Sequence, residues 1–337
     1  MTSVAVIIGV LAAIGLMVWP RVGLCARWSR FRALAWKQNL EDTLKHLHHC
    51  EFLGQQATLE SLSGAVGVSR DHVVRIISDL EQAGLAEVWG GRPSLTAAGR
   101  REALRIIRIH RLWEKFLAER SGLDEVLWHD EADRREHVTS SDQAEALDAS
   151  LGYPRFDPHG APIPTAAGEL PQRRGVLLST VQPGQVGRVV HVEDEPLALH
   201  QQLEVQGLAV GAVVRVIAAS SLSLRIEVGG EEQVVAQVAA ANVSVDPIEL
   251  PADVASRGVR LSRMGLHRKA RVLGLLPTCR GLQRRRLLDL GLLTGTVVEP
   301  ELRSGWGNVV GYRIRGALIA LRQDQASQIQ VEPVESE

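Results

Sequence analysis

An internal repeat constrains the C-terminal half of the chain more than any other feature. The segment GLAVGAVV at residues 207–214 recurs as GLLTGTVV at residues 291–298, with both glycines and the final valine pair in register. Short runs of β-branched residues between glycine-containing turns surround both copies, and such runs are typical of small antiparallel sheets. A long-period repeat predicts a duplicated supersecondary unit. We therefore expect two small β-barrels, over residues 176–247 and 258–333.

A proline-rich segment separates these repeats from the first half of the chain. The sequence YPRFDPHGAPIPTAAGELPQ at residues 153–172 contains five prolines, which neither a helix nor a central strand tolerates. Residues 154–175 are therefore predicted to form a linker. The chain of 337 residues can hold two or three domains of roughly 100–200 residues each. The predicted class is a multidomain α+β protein.

Residues 39–100 predict a winged helix-turn-helix domain. Leu40, Leu44 and Leu47 recur at helical spacing. Thr58 is placed to cap a short second helix, and Ser69 to cap a longer third helix after the turn at residues 67–69. Two short β runs around the glycine pair 90–91 then predict a hairpin wing, and a long helix is expected from about residue 98 to 121.

The helix that begins at Ser69 is the candidate DNA-reading element. Its exposed first turns would carry Ser69, Arg70, Asp71, His72, Val74 and Arg75. Arg75 is suited to the O6 and N7 atoms of guanine, Ser69 and Arg70 to phosphates, and Arg92 in the wing to the DNA backbone. Because the formal net charge is only -1, such contacts depend on a local basic patch. An ordinary amphipathic helix with a solvated polar side is the alternative.

Residues 101–153 predict a helical domain with side chains that could bind a metal ion. His110 and Glu114 are four positions apart and therefore share one face of a predicted helix. A stripe on the next predicted helix shares another face, and its members are His129, Asp133, Glu136 and His137. Carboxylates and imidazoles without thiolates suit first-row divalent ions such as Mn²⁺, Fe²⁺ or Zn²⁺. A solvated face with surface ion pairs is the competing interpretation.

Other features narrow the class of protein. The three cysteines are widely spaced and form no CxxC pair, which argues against a disulfide framework and a tetrathiolate zinc site. The sequence has no glycine-rich phosphate loop, no GxSxG elbow and no Cys-His nucleophile pair. We therefore do not expect an enzyme.

An apolar run at the N-terminus predicts a membrane anchor. Residues 3–19 (SVAVIIGVLAAIGLMVW) carry no charge and reach the short limit for a spanning helix. Residues 1–20 are thus predicted to be a transmembrane helix and residues 21–38, which are basic, a juxtamembrane linker. The positive charges after the run would place the rest of the protein at the cytoplasmic face of the cell membrane. A buried hydrophobic helix or a misplaced start codon would also explain the run.

The chain resembles a known family of regulators. HRLWEKFLAERSGLDEVLWHDEADRREHV at residues 110–138, followed by DPHGAPIP at 157–164, is similar to the diphtheria toxin repressor family of metal-dependent transcriptional regulators. This resemblance extends over about residues 39–164. The two β repeats, with CRGLQRRRLLDLGLLTGTVVE in the second copy, resemble the FeoA-type SH3-like domain of ferrous-iron systems.

The resemblance implies two sets of metal ligands. The primary regulatory set would be Asp42, Asp133, Glu136 and His137. The second set would be His110, Glu114 and His129, with Glu193 as the side chain supplied by the first SH3-like domain. Iron-responsive members usually carry Cys and Met where this chain has Asp133 and Asp42. Manganese-responsive members carry carboxylates at both but also an acidic residue where this chain has Lys45, so the resemblance leaves Fe²⁺ and Mn²⁺ both open.

The resemblance also implies a function. A homodimer would bind Fe²⁺ or Mn²⁺, and the ion would tie the first helix to the dimer-side helix and favour binding to an inverted-repeat operator on double-stranded DNA. Such a protein would repress metal-uptake genes. The alternative is a membrane-tethered accessory protein of ferrous-iron transport, in which the FeoA-like domains dock a transporter.

Overall fold

The computed structural model describes residues 24–172, 174–249, 258–305 and 308–334. These residues form a multidomain protein of helices and sheets, divided into two compact units. The first unit contains the chain up to His110 together with Asp133–Ser140 and Pro164–Glu169. The second contains Arg111–Ala132, Ser141–Ile163 and the chain from Leu170 onward.

The first unit is built from helices and one hairpin. Its elements are α1 (Leu24–Phe52), α2 (Leu59–Val66), α3 (Arg70–Gln82), β1 (Ala86–Trp89), β2 (Arg92–Leu95) and the first part of α4 (Ala97–Phe116). One hydrophobic core joins α1, α2, α3 and α4, and its largest side chains are Leu44, Leu47, Leu62, Ile76, Leu80 and Ile106. The basic residues 24–38, predicted as a linker, are instead the first half of α1.

The ends of the short helices follow from local hydrogen bonds. Thr58 and Ser61 form a reciprocal capping box at the start of α2, as the sequence predicts. Gly67 ends that helix in the left-handed region at φ 71°. Ser69 stands at the predicted N-cap position of α3 but makes no side-chain cap hydrogen bond. Its Oγ lies 3.3 Å from Nδ1 of His72 instead.

The hairpin β1–β2 is the predicted wing. Trp89 pairs with Arg92 across a two-residue turn, and Gly90 and Gly91 both have positive φ, at 58° and 77°. A turn of this kind needs residues that tolerate positive φ, which explains the glycine pair.

The predicted helical region after residue 97 is divided into shorter pieces. α4 continues through a π-helical turn at Leu117–Ser121, a 3₁₀ turn follows at Glu125–Leu127, and α5 (Trp128–Glu136) and α6 (Ser141–Ser150) complete the region. Because α5 ends at Glu136, His137 lies just beyond the helix that carries the rest of its predicted stripe.

The second unit contains two sheets with the same strand order. The first runs β3 (Val176–Leu177), β8 (Val243–Pro247), β4 (Val186–Val192), β5 (Val213–Ala219), β6 (Ser223–Val228) and β7 (Glu231–Ala236). The second runs β9 (Val259–Arg260), β14 (Ile329–Pro333), β10 (Ala270–Leu275), β11 (Val297–Arg303), β12 (Val309–Ile314) and β13 (Ala317–Arg322). Every neighbouring pair is antiparallel, and each sheet has its own hydrophobic core.

The helices between the strands are also equivalent. α7 (Leu197–Val205) precedes β5, and α9 (Gly281–Asp289) precedes β11. The short helices α8 (Gln237–Ala240) and α10 (Gln323–Ser327) precede the equivalent strands β8 and β14. The glycines of the repeat lie after α7 and α9. Gly207 and Gly211 have φ of 82° and 95°, and Gly291 and Gly295 have φ of 91° and 88°. The repeated glycines are therefore required by the same backbone turns in both domains.

The predicted membrane location is contradicted. Across the described ranges, no helix combines the length and the apolar character needed to span a bilayer. α1 has 29 residues, but charged side chains recur along it, and their transfer into hydrocarbon is unfavourable. The run predicted as the anchor, residues 3–19, lies outside the described residues.

Gly99 in the first turn of α4 allows a close approach of two backbones, which generates a stability prediction. A Cβ atom at Gly99 would come within 1.8 Å of the backbone oxygen of Leu85. We expect Gly99→Ala to lower the free energy of unfolding by about 1–3 kcal/mol, because the helix or the Leu85 segment must move. Urea denaturation of the full chain, followed by circular dichroism, measures this change.

Gly64→Ala in α2 is the matched control. Gly64 is also helical, but a Cβ atom there meets nothing within 4 Å, so alanine should be neutral or raise the stability by up to about 1 kcal/mol. Equal stability of the wild type and Gly99→Ala would contradict the packing of α4 described above.

Candidate metal centre

Three helices of the first unit bring charged side chains to one place. α1 contributes Glu41, Asp42 and Lys45, and Lys45 lies four positions after Glu41 and three after Asp42, so it is a neighbour of both on the helix surface. α4 contributes His110 near its middle. The end of α5 and the residue after it contribute Asp133, Glu136 and His137. The structure therefore brings together all four residues of the predicted primary set.

Asp42, Glu136 and His137 form one part of this cluster. Nε2 of His137 lies 3.4 Å from Oδ1 of Asp42 and 3.4 Å from Oε1 of Glu136. One ligand atom from each residue lies within 4.8 Å of the others. Ligands of a first-row divalent ion at about 2.1 Å are roughly 3 Å apart, so small side-chain rotations would allow all three to bind one ion.

Glu41 orients the His137 ring. Its Oε2 lies 2.6 Å from Nδ1 of His137, so Nδ1–H donates and Nε2 is left with its lone pair facing Asp42. Burial acts to raise the pKa of Glu41, but the bond to His137 and the nearby Lys37 ammonium outweigh it and hold that pKa below its usual value. A carboxylate behind a ligating imidazole is a common arrangement in metal sites. The sequence analysis missed Glu41.

The same contacts set the ionisation of the ligands. Burial acts to lower the pKa of His137, but its bond to Glu41 and the charges of Glu136 and Asp42 raise it. Burial raises the pKa of Asp42, and the neighbouring carboxylates add to that effect against the opposing charge of Lys45. The centre thus concentrates negative charge that a cation would stabilise.

Lys45 neutralises the other side of the cluster. Its Nζ lies 3.1 Å from Oδ1 of Asp133 and 2.8 Å from Oε1 of Glu136. Nδ1 of His110 lies 2.6 Å from Oε2 of Glu136 and 3.2 Å from Asp133. Burial acts to lower the pKa of Lys45, but the carboxylates of Glu136 and Asp133 outweigh it and raise it. The ammonium group is therefore a built-in cation for Asp133 and Glu136.

The remaining predicted metal ligands are placed as follows. In the second unit, Nδ1 of His129 lies 3.4 Å from Oε1 of Glu114, and Nε2 of His129 lies 3.6 Å from Oε1 of Glu195. His110 belongs to the first unit and contacts Glu136 there. Glu195, in the loop after β4 of the first FeoA-like sheet, is thus a further carboxylate near His129, and Oε2 of Glu193 lies 3.1 Å from Nε2 of His191.

Glu193 and Glu195 occupy different parts of the chain after β4. The backbone N–H of Glu193 donates to the carbonyl of Asn242, so Glu193 still follows the path of the sheet. Glu195 lies two residues further on, in the loop before α7. Glu193 stays a predicted ligand, and Glu195 is a second carboxylate of the same segment.

The predicted DNA-reading residues lie on the surface of the first unit. Ser69, Arg70, Asp71, His72, Val74, Arg75 and Arg92 are all exposed. The opposite side of α3 is buried through Val73, Ile76, Ile77 and Leu80. Arg70 pairs with Glu60 at 3.0 Å. Trp89 at the wing tip is 75% exposed, and the sequence analysis did not single it out.

Parts of the chain match known protein families. The description "iron dependent repressor, metal binding and dimerisation domain" matches residues 96–165, and the FeoA domain matches residues 176–247 and 259–333. The iron-dependent repressor IdeR of Mycobacterium leprae is 41% identical over 93 residues, which are 27% of this chain and 40% of that protein. The diphtheria toxin repressor of Corynebacterium diphtheriae is 32% identical over 131 residues, 36% of this chain and 58% of that protein.

Solved structures agree with these matches. A manganese-dependent transcriptional repressor in complex with manganese superposes with a TM-score of 0.54 at 27% identity, covering 61% of this chain and 100% of the other. The IdeR of T. acidophilum superposes with a TM-score of 0.52 at 26% identity, covering 62% and 97%. The chain thus combines a segment that matches the metal-binding and dimerisation domain of iron-dependent repressors with two segments that match the FeoA domain. Its fold resembles that of these metal-dependent repressors.

The chain spans less than two thirds of the length of the curated relatives it matches, 40% of the mycobacterial protein and 58% of the corynebacterial one.

Removing the built-in cation should make the first unit depend on added metal. We expect Lys45→Gln to lower the free energy of unfolding by about 2–3 kcal/mol without divalent metal, because the buried Glu136 carboxylate loses an ionic partner. Mn²⁺ should then raise the melting temperature of this variant more than that of the wild type. Thermal unfolding in EDTA and in Mn²⁺ measures both effects.

Lys115→Gln is the matched control for this prediction. The Lys115 and Lys45 side chains are both 24% exposed, but the partner of Lys115 is Glu119, which is 45% exposed. Loss of that pair should cost less than about 1 kcal/mol. The charge-neutralising role of Lys45 would be wrong if the two variants melted at the same temperature in EDTA.

Proposed function

We propose that this protein is a divalent-metal-dependent, DNA-binding transcriptional repressor that uses Fe²⁺ or Mn²⁺. The observation that carries the proposal is the meeting of Asp42 from α1 with Glu136 and His137 from the end of α5. Asp42 is far from the other two in sequence and near them in the fold. A binding ion would make contacts that depend on the relative position of the two helices.

Linkage explains how the ion would act on DNA binding. α1 shares a hydrophobic core with α2 and α3, the helix that presents Arg75. An ion bound to Asp42 and His137 would stabilise the arrangement in which α1 and the end of α5 are adjacent. The ion can favour DNA binding only if it binds this arrangement of the two helices more tightly than it binds other arrangements.

The donor set supports Fe²⁺ and Mn²⁺ alike. Asp42 and Glu136 offer carboxylate oxygens and His137 a ring nitrogen, and oxygen-rich sets with one imidazole suit both ions. The relatives are described as iron-dependent and manganese-dependent repressors. Because the Lys45 ammonium already contacts Asp133 and Glu136, we propose that the first unit binds one ion, with Asp42, Glu136 and His137 as its ligands.

The proposed assembly is a homodimer on double-stranded DNA. We assign residues 39–100 to a winged helix-turn-helix, 101–153 to the metal-binding and dimerisation region, and 176–247 and 258–333 to SH3-like FeoA domains. Two winged helices related by a two-fold axis require an inverted-repeat operator. Metal-uptake genes are the proposed targets. The transporter-docking alternative combined the FeoA domains with a membrane anchor, and the described residues contain no helix that could serve as that anchor.

His137→Ala and Asp42→Ala should separate metal binding from folding. Each removes one proposed ligand, so metal-dependent DNA binding should fall at least about 100-fold, while the unfolding transition stays cooperative. An electrophoretic mobility shift on the DNA upstream of the gene, with Mn²⁺ and with Fe²⁺ under anaerobic conditions, measures the effect. His267→Asn, which changes an exposed histidine of the second FeoA domain, is the control and should shift DNA like the wild type.

A wild type that binds metal but shows no metal-dependent shift would contradict the proposed function.

Arg75 should carry base preference. Its side chain is exposed on α3, and a bidentate contact to guanine is worth roughly 1–3 kcal/mol of discrimination. We expect Arg75→Ala to flatten the difference in affinity between the operator and its guanine-substituted forms. Arg101→Ala, at an exposed position of α4 outside the proposed reading surface, should leave the base preference unchanged. An unaltered preference in Arg75→Ala would remove Arg75 from direct readout.

A further inference from the structure

A second group of potential metal ligands lies within the second unit, apart from the centre described above. Glu125 comes from the 3₁₀ turn before α5, His159 from the proline-rich loop and His200 from α7. Oε1 of Glu125 lies 3.8 Å from Nδ1 of His159 and 3.7 Å from Nε2 of His200. One ligand atom from each of the three lies within 4.8 Å of the others.

His200 is oriented as a metal ligand would be. Its Nδ1 donates to the backbone carbonyl of Glu193 at 3.1 Å, which leaves Nε2 as the atom with the lone pair. This Nε2 is buried, has no hydrogen-bond partner and faces Glu125 at a distance too long for a hydrogen bond. The residue is only 5% exposed. A buried acceptor without a partner is uncommon in proteins and indicates a missing ion or water.

His159 is fixed by its loop. Its backbone N–H donates to Oδ1 of Asp157, and its carbonyl accepts from the N–H of Val192 and from Nδ1 of His191. Gly160 follows in the left-handed region, and a Cβ atom there would come within 1.9 Å of the Val190 carbonyl. The loop is therefore pressed against β4. The rings of His159 and His200 meet edge to face, with centroids 4.8 Å apart.

A second carboxylate lies beside the group. Glu204 interacts with Glu125 and belongs to α7, four positions after His200. Residues four positions apart lie on the same face of a helix. Glu204 is therefore placed to supply a further oxygen ligand.

We propose that Glu125, His159 and His200 form a further binding site for a divalent transition metal of the Zn²⁺ or Fe²⁺ class. Two imidazoles and one carboxylate are typical ligands of such ions. Tetrahedral ligands at about 2.1 Å are roughly 3.4 Å apart, so the observed separations need only a small contraction. A water molecule or Glu204 would complete the coordination. The ion would join the metal-binding domain, the proline-rich loop and α7 of the first FeoA domain.

The site shares no residue with the centre in the first unit, so it stands apart from the proposed function. Zn²⁺ is the probe for its test. The full chain is stripped with EDTA, dialysed against Zn²⁺, and its metal content is measured by mass spectrometry. We expect Glu125→Gln and His200→Asn each to bind one Zn²⁺ fewer per chain than the wild type. That difference is expected even if the protein does not bind DNA.

Two control variants match these changes in chemistry. Glu232→Gln removes an exposed carboxylate of the same FeoA domain, and His267→Asn removes an exposed histidine at a positive φ that asparagine tolerates. Both should keep the zinc content of the wild type. If circular dichroism shows that His200→Asn does not fold, the zinc content of Glu125→Gln tests the proposal. Glu125→Gln replaces only one carboxylate oxygen by an NH₂ group, at a partly buried side chain.

Wild-type zinc content in Glu125→Gln would overturn the proposal. His159 also lies within ligand distance of Glu114 and Asp194, and a further variant tests whether the ion binds there instead. Loss of one Zn²⁺ in His159→Asn, without loss in Glu125→Gln and His200→Asn, would place the ion with that pair and overturn the site proposed above.

Discussion

Repulsion among clustered carboxylates is the constraint on which the first unit depends. α1 and the end of α5 bring Asp42 and Asp133 to the buried Glu136, and like charges close together are unfavourable unless positive charge lies among them. Lys45 supplies it for Asp133 and Glu136, and its charge also acts on Asp42. Beside Asp42 lies the His137 ring, whose Nδ1 is bonded to Glu41. The proposed ion completes the balance beside Asp42 and makes the position of α1 sensitive to metal.

Helical periodicity in the sequence predicts which side chains share a helix face, but it does not predict which helices meet. Helical spacing placed His129, Asp133 and Glu136 on one face, and the structure carries that stripe on α5 and the residue after it. That Asp42 belongs with these residues was predicted only from the family resemblance, because no periodic pattern links side chains so distant in the chain. Glu41 escaped notice because its role depends on the orientation of one ring.

The fold was predicted best where glycines and caps fix the backbone. The turns of the two repeats and the Thr58 capping box are local, so the residues themselves specify them. The predicted capping hydrogen bond of Ser69 is not formed, because its hydroxyl lies next to the His72 ring and not against the helix backbone. The predicted membrane location was wrong: an apolar run alone does not establish a span, and the helices described contain none. Glu195 was not predicted to lie near His129, because periodicity does not encode the path of a loop.

Anomalous diffraction at the manganese edge, from crystals of the full chain grown with Mn²⁺, tests the central claim most directly. The account predicts a peak bonded to carboxylate oxygens of Asp42 and Glu136 and to Nε2 of His137, with Lys45 still in contact with Asp133. A well-ordered first unit in which manganese is absent from these three residues, with Asp42 turned away from His137, would contradict it.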